Sequence, residues 1–315
     1  MNNRLILDTD GGVDDAQALL MLIANGRAPF AVTTVFGNVD LETATRNVLA
    51  ILTVAGAEAE VHHGAEEPMA QAAIDAKHVH GDDGLGGAPR PGETAHPTSD
   101  DAVGFLVSTL NNAATRGEKV DFLMIGPLTN LALALRQDPG IVKGIGQLTI
   151  MGGTVYGRGN VTPAAEFNIY ADPEAAGIVF ATEIDTVLVP WEACVAHAMP
   201  GADVDRLYSS VEASQYKVFN EVLAQHGRKT FGIREKGDAL RFVDPLASAV
   251  VVDPSIVTRS LRASVDVSLA PGITRGMTVI DPSGRLGTPM LTVVEEVRLD
   301  RLIELYERSV TRKPA

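Results

Sequence analysis

Cysteine, basic residues and long apolar segments are all scarce in this chain, and each shortage removes a class of protein. A single cysteine in 315 residues, Cys194, rules out an internal disulfide framework and fits a reducing compartment, where the thiol is either a core or a site residue. Lysine and arginine total 26 against 40 acidic residues, a net charge of −14. That balance excludes binding to nucleic acid or to an anionic membrane surface through general electrostatics, and it suits a cation site. The N-terminus runs from Met1-Asn2-Asn3-Arg4 straight into a short apolar strand, with no cleavage-site pattern and no membrane-length segment. A cytoplasmic address is the expectation. There is no internal repeat, no low-complexity tract and no Pro/Gly/Ser stretch that would divide the chain, so one domain over 1–315 is expected.

What remains is 45% hydrophobic, enough for a full core. Leu5 to Leu7, Ala16 to Ala24, Ala31 to Phe36 and Leu41 to Ala55 alternate strand and helix. Apolar runs at Phe122 to Ile125, Leu148 to Met151 and Thr186 to Val189 read as buried central strands. The fold class is therefore α/β: an open, mostly parallel, Rossmann-like sheet flanked by helices. Val265 to Ile280 alternates around Pro271-Gly272 and adds a small antiparallel pair near the C-terminus, followed by an amphipathic helix over about Asp300 to Val310. The Gly-, Pro-, His- and Asp-rich stretch from Glu66 to Pro97 reads as a surface loop system of the kind that closes over sites.

The first strand opens into Asp8-Thr9-Asp10-Gly11-Gly12-Val13-Asp14-Asp15. Carboxyl ends of strands are where open α/β sheets bind ligands. Helix capping accounts for one or two of these acids. Four carboxylates in eight residues repel one another unless solvated or sharing a cation, and an all-oxygen cluster suits Ca²⁺ or Mg²⁺ rather than zinc. An EF-hand is excluded, because Gly12 and Leu19 stand where oxygen ligands belong.

This loop resembles the signature of the inosine-uridine preferring nucleoside hydrolases, usually Asp-Thr-Asp-Pro-Gly-x-Asp-Asp and a small helical residue. Gly11 replaces the usual proline, and a looser loop is expected from it. Further matches follow in the family's order: Gly37-Asn38; Phe122 to Ile125 with Gly126-Pro127-Leu128-Thr129-Asn130; Met151-Gly152-Gly153; Asn160; Ala165 to Ala176; Val243-Asp244-Pro245-Leu246-Ala247; and Arg275 to Asp281. The resemblance spans residues 5 to 281. It implies a nucleoside hydrolase fold, a homodimer or homotetramer, and hydrolysis of the bond between ribose and base in ribonucleosides, as in nucleoside salvage. It also implies Ca²⁺ held by Asp10, Asp15, Asp244 and the Ile125 carbonyl, with Asp10 as general base toward water. Asp14, Asn38, Met151, Asn160, Glu166 and Asn168 would bind the substrate. Glu166 and Asn168, two apart in what reads as an extended stretch, would face one side and grip sugar hydroxyls. Asp172, in Asp-Pro-Glu, reads as a helix cap.

The chain also departs from the family. One branch carries a histidine, which can protonate the departing base, and another a tryptophan where Val243 stands here. His80, in Val79-His80-Gly81-Asp82-Asp83-Gly84, is the candidate for leaving-group protonation. Trp191 could stack on the base, with Glu192 or Cys194 as a polar neighbour, or Trp191 and Cys194 could be core. The choice between purine and pyrimidine stays open. Two rivals stand beside this reading. Asp8-Thr9-Asp10-Gly11 fits a haloacid-dehalogenase-type phosphatase, although Gly12 does not supply the Thr or Val expected there. Val243 allows a ribose-binding protein without turnover.

Overall fold

A computed structural model describes residues 3–235 and 237–314. In its first half, β1 (Arg4–Thr9), α1 (Val13–Ala24), β2 (Ala31–Thr34), α2 (Leu41–Ala55) and β3 (Glu60–His63) form two consecutive crossovers. The short α3 (Lys77–His80) and α4 (Ala102–Arg116) lead to β4 (Val120–Met124), α5 (Thr129–Gln137) and β5 (Ile145–Met151). Then come α6 (Phe167–Ala171), α7 (Pro173–Phe180), β6 (Asp185–Val189) and α8 (Trp191–Ala196). The last third holds β7 (Ala198–Pro200), α9 (Gly201–Ser210), α10 (Gln215–Glu235), β8 (Ala239–Arg241) and α11 (Asp244–Val252). It ends with β9 (Val257–Val267), β10 (Thr278–Asp281), β11 (Met290–Val297) and α12 (Leu299–Thr311).

Nine strands form one sheet in the order β10-β9-β11-β6-β5-β4-β1-β2-β3, and β7 pairs with β8 apart from it. The seven strands from β11 to β3 run parallel to one another, while β9 is antiparallel to both β10 and β11. The reason lies in the strand sequences. Leu5 and Leu7 pack into the core on one face of the sheet and Ile6 into the core on the other, so the middle of β1 is apolar at three successive positions. α1 packs against α10, α11 and α12 on the first face, and α4 against α5 on the second.

The antiparallel addition is present at β9 and β10, but β11 extends it and was not legible as a strand. Its Met290–Val297 carries Glu295 and Glu296, and the chain runs almost directly into α12. Among the described residues, no helix is long and apolar enough to cross a membrane.

The chain leaves β1 for β2 on one side, whereas β4, on the other side of β1, continues outward to β5 and β6. The loops after β1 and β4 therefore diverge and leave a crevice at the carboxyl end of the sheet, the usual ligand position in such folds.

Candidate active site

Most of the loops that enter the crevice leave a parallel strand at its carboxyl end, while Val243 and Asp244 come from the junction between β8 and α11. The turn after β1 brings Asp10, Asp14 and Asp15. The one after β2 brings Asn38, β4 is followed by Ile125, β5 ends on Met151, and β6 leads into Trp191. The cleft encloses about 140 Å³, room for on the order of ten waters by the same measure. Asp14, Asn38, His80, Ile125, Met151 and Asn160 line it, and so do Glu166, Asn168, Trp191 and Asp244. Asp10 and Asp15 are buried just behind this wall. Val243 faces the cleft as well.

The acidic turn is rigid, contrary to the looseness expected from Gly11. Gly11 has φ of +71°, which proline cannot adopt, and a Cβ there would lie 2.6 Å from the Ala44 Cα. The turn is cross-braced as well. Asp15 Oδ1 accepts from the Thr9 hydroxyl at 2.5 Å, and Asp15 Oδ2 accepts from the Gly12 N–H at 2.8 Å and from Asn38 Nδ2 at 3.0 Å. Asp10 accepts from the Asn38 backbone N–H at 2.8 Å and from Asn38 Nδ2 at 2.9 Å. Asn38 is thus the amide that binds two carboxylates together.

Asp14, Asp15 and Asp244 each place an oxygen within 4.8 Å of the others. Burial pushes the Asp14 carboxyl up to about 6. Burial, then the neighbouring carboxylates, raises Asp15 and holds Asp10 and Asp244 well above the usual range. Asp14 Oδ1 is buried with no hydrogen-bond partner among the described residues. Buried like charges with an unsatisfied oxygen are what a hard cation or a hydroxyl donor would relieve, and the donors are all oxygen, so the residues fit a metal of the calcium–magnesium type.

In the same cleft lining, Glu166 and Asn168 are not in an extended stretch. The spacing of two reflects a cap instead. Glu166 precedes α6, and its carboxylate accepts from the Asn168 and Ile169 N–H groups at 2.9 and 3.2 Å, and from the Gly153 N–H at 2.9 Å. Burial raises it to about 7 against those hydrogen bonds. Asn168 Nδ2 donates to the carbonyls of Ile125 at 3.0 Å and Met151 at 3.2 Å, joining the ends of β4 and β5. Asp172 is the cap of α7, accepting from the Ala175 N–H at 3.1 Å.

His80 Nδ1 accepts from the Val13 N–H at 3.1 Å and lies 3.5 Å from Asp14 Oδ1. A neutral ring whose Nδ1 accepts carries its proton on Nε2. Trp191 is buried and also lines the cleft, so its two readings are one. Cys194 is buried outside the cleft wall, its thiol pushed far up by burial. Glu192 points elsewhere too, accepting from the Val155 and Tyr156 N–H groups at 3.0 and 2.9 Å. Sequence patterns did not single out Ala76, His78, Val79, Val161 or Phe167 as cleft residues. Small and apolar wall residues look like core, and His78 carried no signal beyond its neighbour His80.

The chain matches the inosine-uridine preferring nucleoside hydrolase family over residues 5–304. Non-specific ribonucleoside hydrolase RihC of Klebsiella pneumoniae is 36% identical over 311 residues, covering 96% of this chain and 95% of that one. The inosine-uridine preferring nucleoside hydrolase of Crithidia fasciculata is 32% identical over 284 residues, 89% and 88% of the two chains. Among solved structures, the plant nucleoside hydrolase PpNRh1 superposes with a TM-score of 0.86 at 31% identity over 99% of both chains. A purine-preferring ribonucleoside hydrolase from Gardnerella vaginalis gives 0.89 at 27% identity over 98% of both. The protein is an N-glycosyl hydrolase by class. It belongs to the inosine-uridine preferring nucleoside hydrolase family, and its acidic turn is that family's and not a phosphatase's.

Proposed function

We propose that this chain, acting as one domain over 1–315, is a calcium-dependent ribonucleoside hydrolase that releases ribose and free base for salvage. The observation that carries the proposal is the gathering of two sets of groups at one cleft: the buried carboxylates of the β1 turn with Asp244, and the Glu166–Asn168 cap.

Asp15 and Asp244, with Asp10 and the Ile125 carbonyl, would hold the ion. When bound, calcium would supply Lewis-acid polarisation of water and a fixed positive charge among the acids. Asp14, whose Oδ1 has no hydrogen-bond partner among the described residues, would turn to a ribose hydroxyl. Asn38, Asn160 and Asn168 orient the sugar; Asn160 Oδ1 is also buried without a partner. Asp10, through a carboxylate oxygen, takes the proton of the attacking water. Cleavage passes through an oxocarbenium-like transition state, and the carboxylates of Asp14 and Glu166 stabilise its positive charge. On the base side, Trp191 offers a stacking face and His80 a hydrogen bond from Nε2 to the departing base, while Val243 offers neither.

Ribose release from inosine, uridine and their 2′-deoxy counterparts tests the reading. Release from the ribosides with strong discrimination against the deoxyribosides is expected. Binding of ribonucleosides without ribose release would favour the binding-protein alternative.

A further inference from the structure

Asn47 is fully buried in the middle of α2, where a polar side chain needs an explanation. Its Nδ2 donates to the Gly11 carbonyl at 2.8 Å and to the Asp83 carbonyl at 2.9 Å. Its Oδ1 accepts from Arg90, at 3.2 Å from Nε and 2.5 Å from Nη2, and the same Nη2 donates to the Asp83 carbonyl at 2.5 Å. Both hydrogens and the oxygen of the amide are therefore committed, and Arg90 fixes which end faces the two carbonyls.

The two carbonyls belong to different loops. Gly11 lies in the acidic turn. Asp83 lies just beyond His80, in a tight segment where the Gly86 N–H donates to the His80 carbonyl at 2.9 Å and the Gly84 N–H to the Gly81 carbonyl at 3.0 Å. Gly84 seats the segment against the junction itself, since a Cβ there would lie 2.7 Å from Asn47 Nδ2 and 3.2 Å from the Gly11 oxygen. The hydrogen bond from the Val13 N–H to His80 Nδ1 joins the same two loops at the cleft. The register of one loop on the other, set at Asn47, decides where the His80 ring stands against Val13 and Asp14.

We propose that Asn47 is a positioning residue for cleavage: it holds the His80 loop in register with the acidic turn, and Arg90 orients its amide. The proposal rests on the role given to His80 above.

The test is a double-mutant cycle on ribose release, with melting curves in parallel. Asn47→Asp keeps the size and offers Arg90 an ion pair, but it turns an oxygen toward two carbonyls that need donors. It is expected to lower kcat/KM at least about tenfold in the native background and by less than about threefold in His80→Ala, the non-additivity of residues that act together. Arg90→Ala, on a half-buried side chain, is expected to follow the same pattern with a smaller loss, and it decides the matter by the same criterion if Asn47→Asp does not fold. Equal losses in both backgrounds, or native activity in Asn47→Asp, would overturn the proposal while leaving the hydrolase reading intact. Absence of ribose release from the native protein would instead defeat that reading, and this one with it.

Discussion

Gly12 is a tight point of the site. A Cβ on it would lie 2.5 Å from Asn38 Nδ2, 2.7 Å from His80 Nδ1 and 2.8 Å from Asp15 Oδ2. Gly12→Ala therefore displaces the amide that ties Asp10 to Asp15, and activity is expected to fall by about two orders of magnitude, the scale set by ångström misplacement of reacting groups. Asp14 and Asp15 are neighbours with different duties in this account. Asp14→Asn is expected to lower kcat/KM with calcium affinity little changed, whereas Asp15→Asn loses the ion. Calorimetric titration separates the two, and equal loss of calcium binding in both would place Asp14 among the ligands. Cys194 makes a simpler prediction. Its thiol is buried and held far above the ordinary range by burial, so at pH 8 a thiol reagent is expected to leave the native protein untouched and to label one group per chain after unfolding.

At the scale of elements, α8 acts as a bracket for the loop between β5 and α6. Glu192, near its start, accepts from the Val155 and Tyr156 N–H groups, and Asn160 lies farther along that loop in the cleft wall. Glu192→Ala leaves two donors without their charged acceptor, a loss of about 1.5–3 kcal/mol. It is expected to appear chiefly as a raised KM for nucleoside, because the loop carries a sugar-orienting residue and not Asp10. A fall in kcat at unchanged KM would count against this division of labour.

The elements also mark how far the sequence could be read. The acidic turn was legible because its four carboxylates fall within eight residues at the end of an apolar strand, and α2 was legible at both ends, Leu41–Ala55. The Glu166–Asn168 pair lies in the same cleft as the other candidates but not in the expected conformation. A spacing of two serves a strand face and also a carboxylate capping the N–H groups that follow it, and only the fold shows which is in use. Gly11 misled in the same way: freedom of the backbone suggested slackness, whereas the close approach of Ala44 makes the turn tight. Asn47 gave no signal at all, since an asparagine in a helix interior reads as surface until its carbonyl partners, 36 residues away on either side, are seen.

At the scale of the whole molecule, Asp10, Asp14, Asp15, Glu166 and Asp244 are gathered and buried at the crevice of the sheet. In the metal-free protein this arrangement carries a pH signature. Burial raises Glu166 from an ordinary 4.5 to about 7, so the folded state favours its neutral form. Its contribution to stability is fully present below about 4.5 and is lost as the pH rises through about 7, a change of up to about 3 kcal/mol. Chelated protein is therefore expected to melt at a lower temperature at pH 8 than at pH 5. Added calcium would raise the melting temperature more at pH 8 than at pH 5, since its ligands must be ionised. A melting temperature independent of pH in chelator would contradict this picture of the cleft.

The most direct test of the account is a calcium titration into chelated protein, with binding and ribose release from a ribonucleoside followed in the same sample. The account predicts one ion per chain, ribose release that returns in proportion to occupancy, and loss of both in Asp244→Asn. Full activity in chelator, or calcium binding that leaves ribose release unchanged, would contradict it.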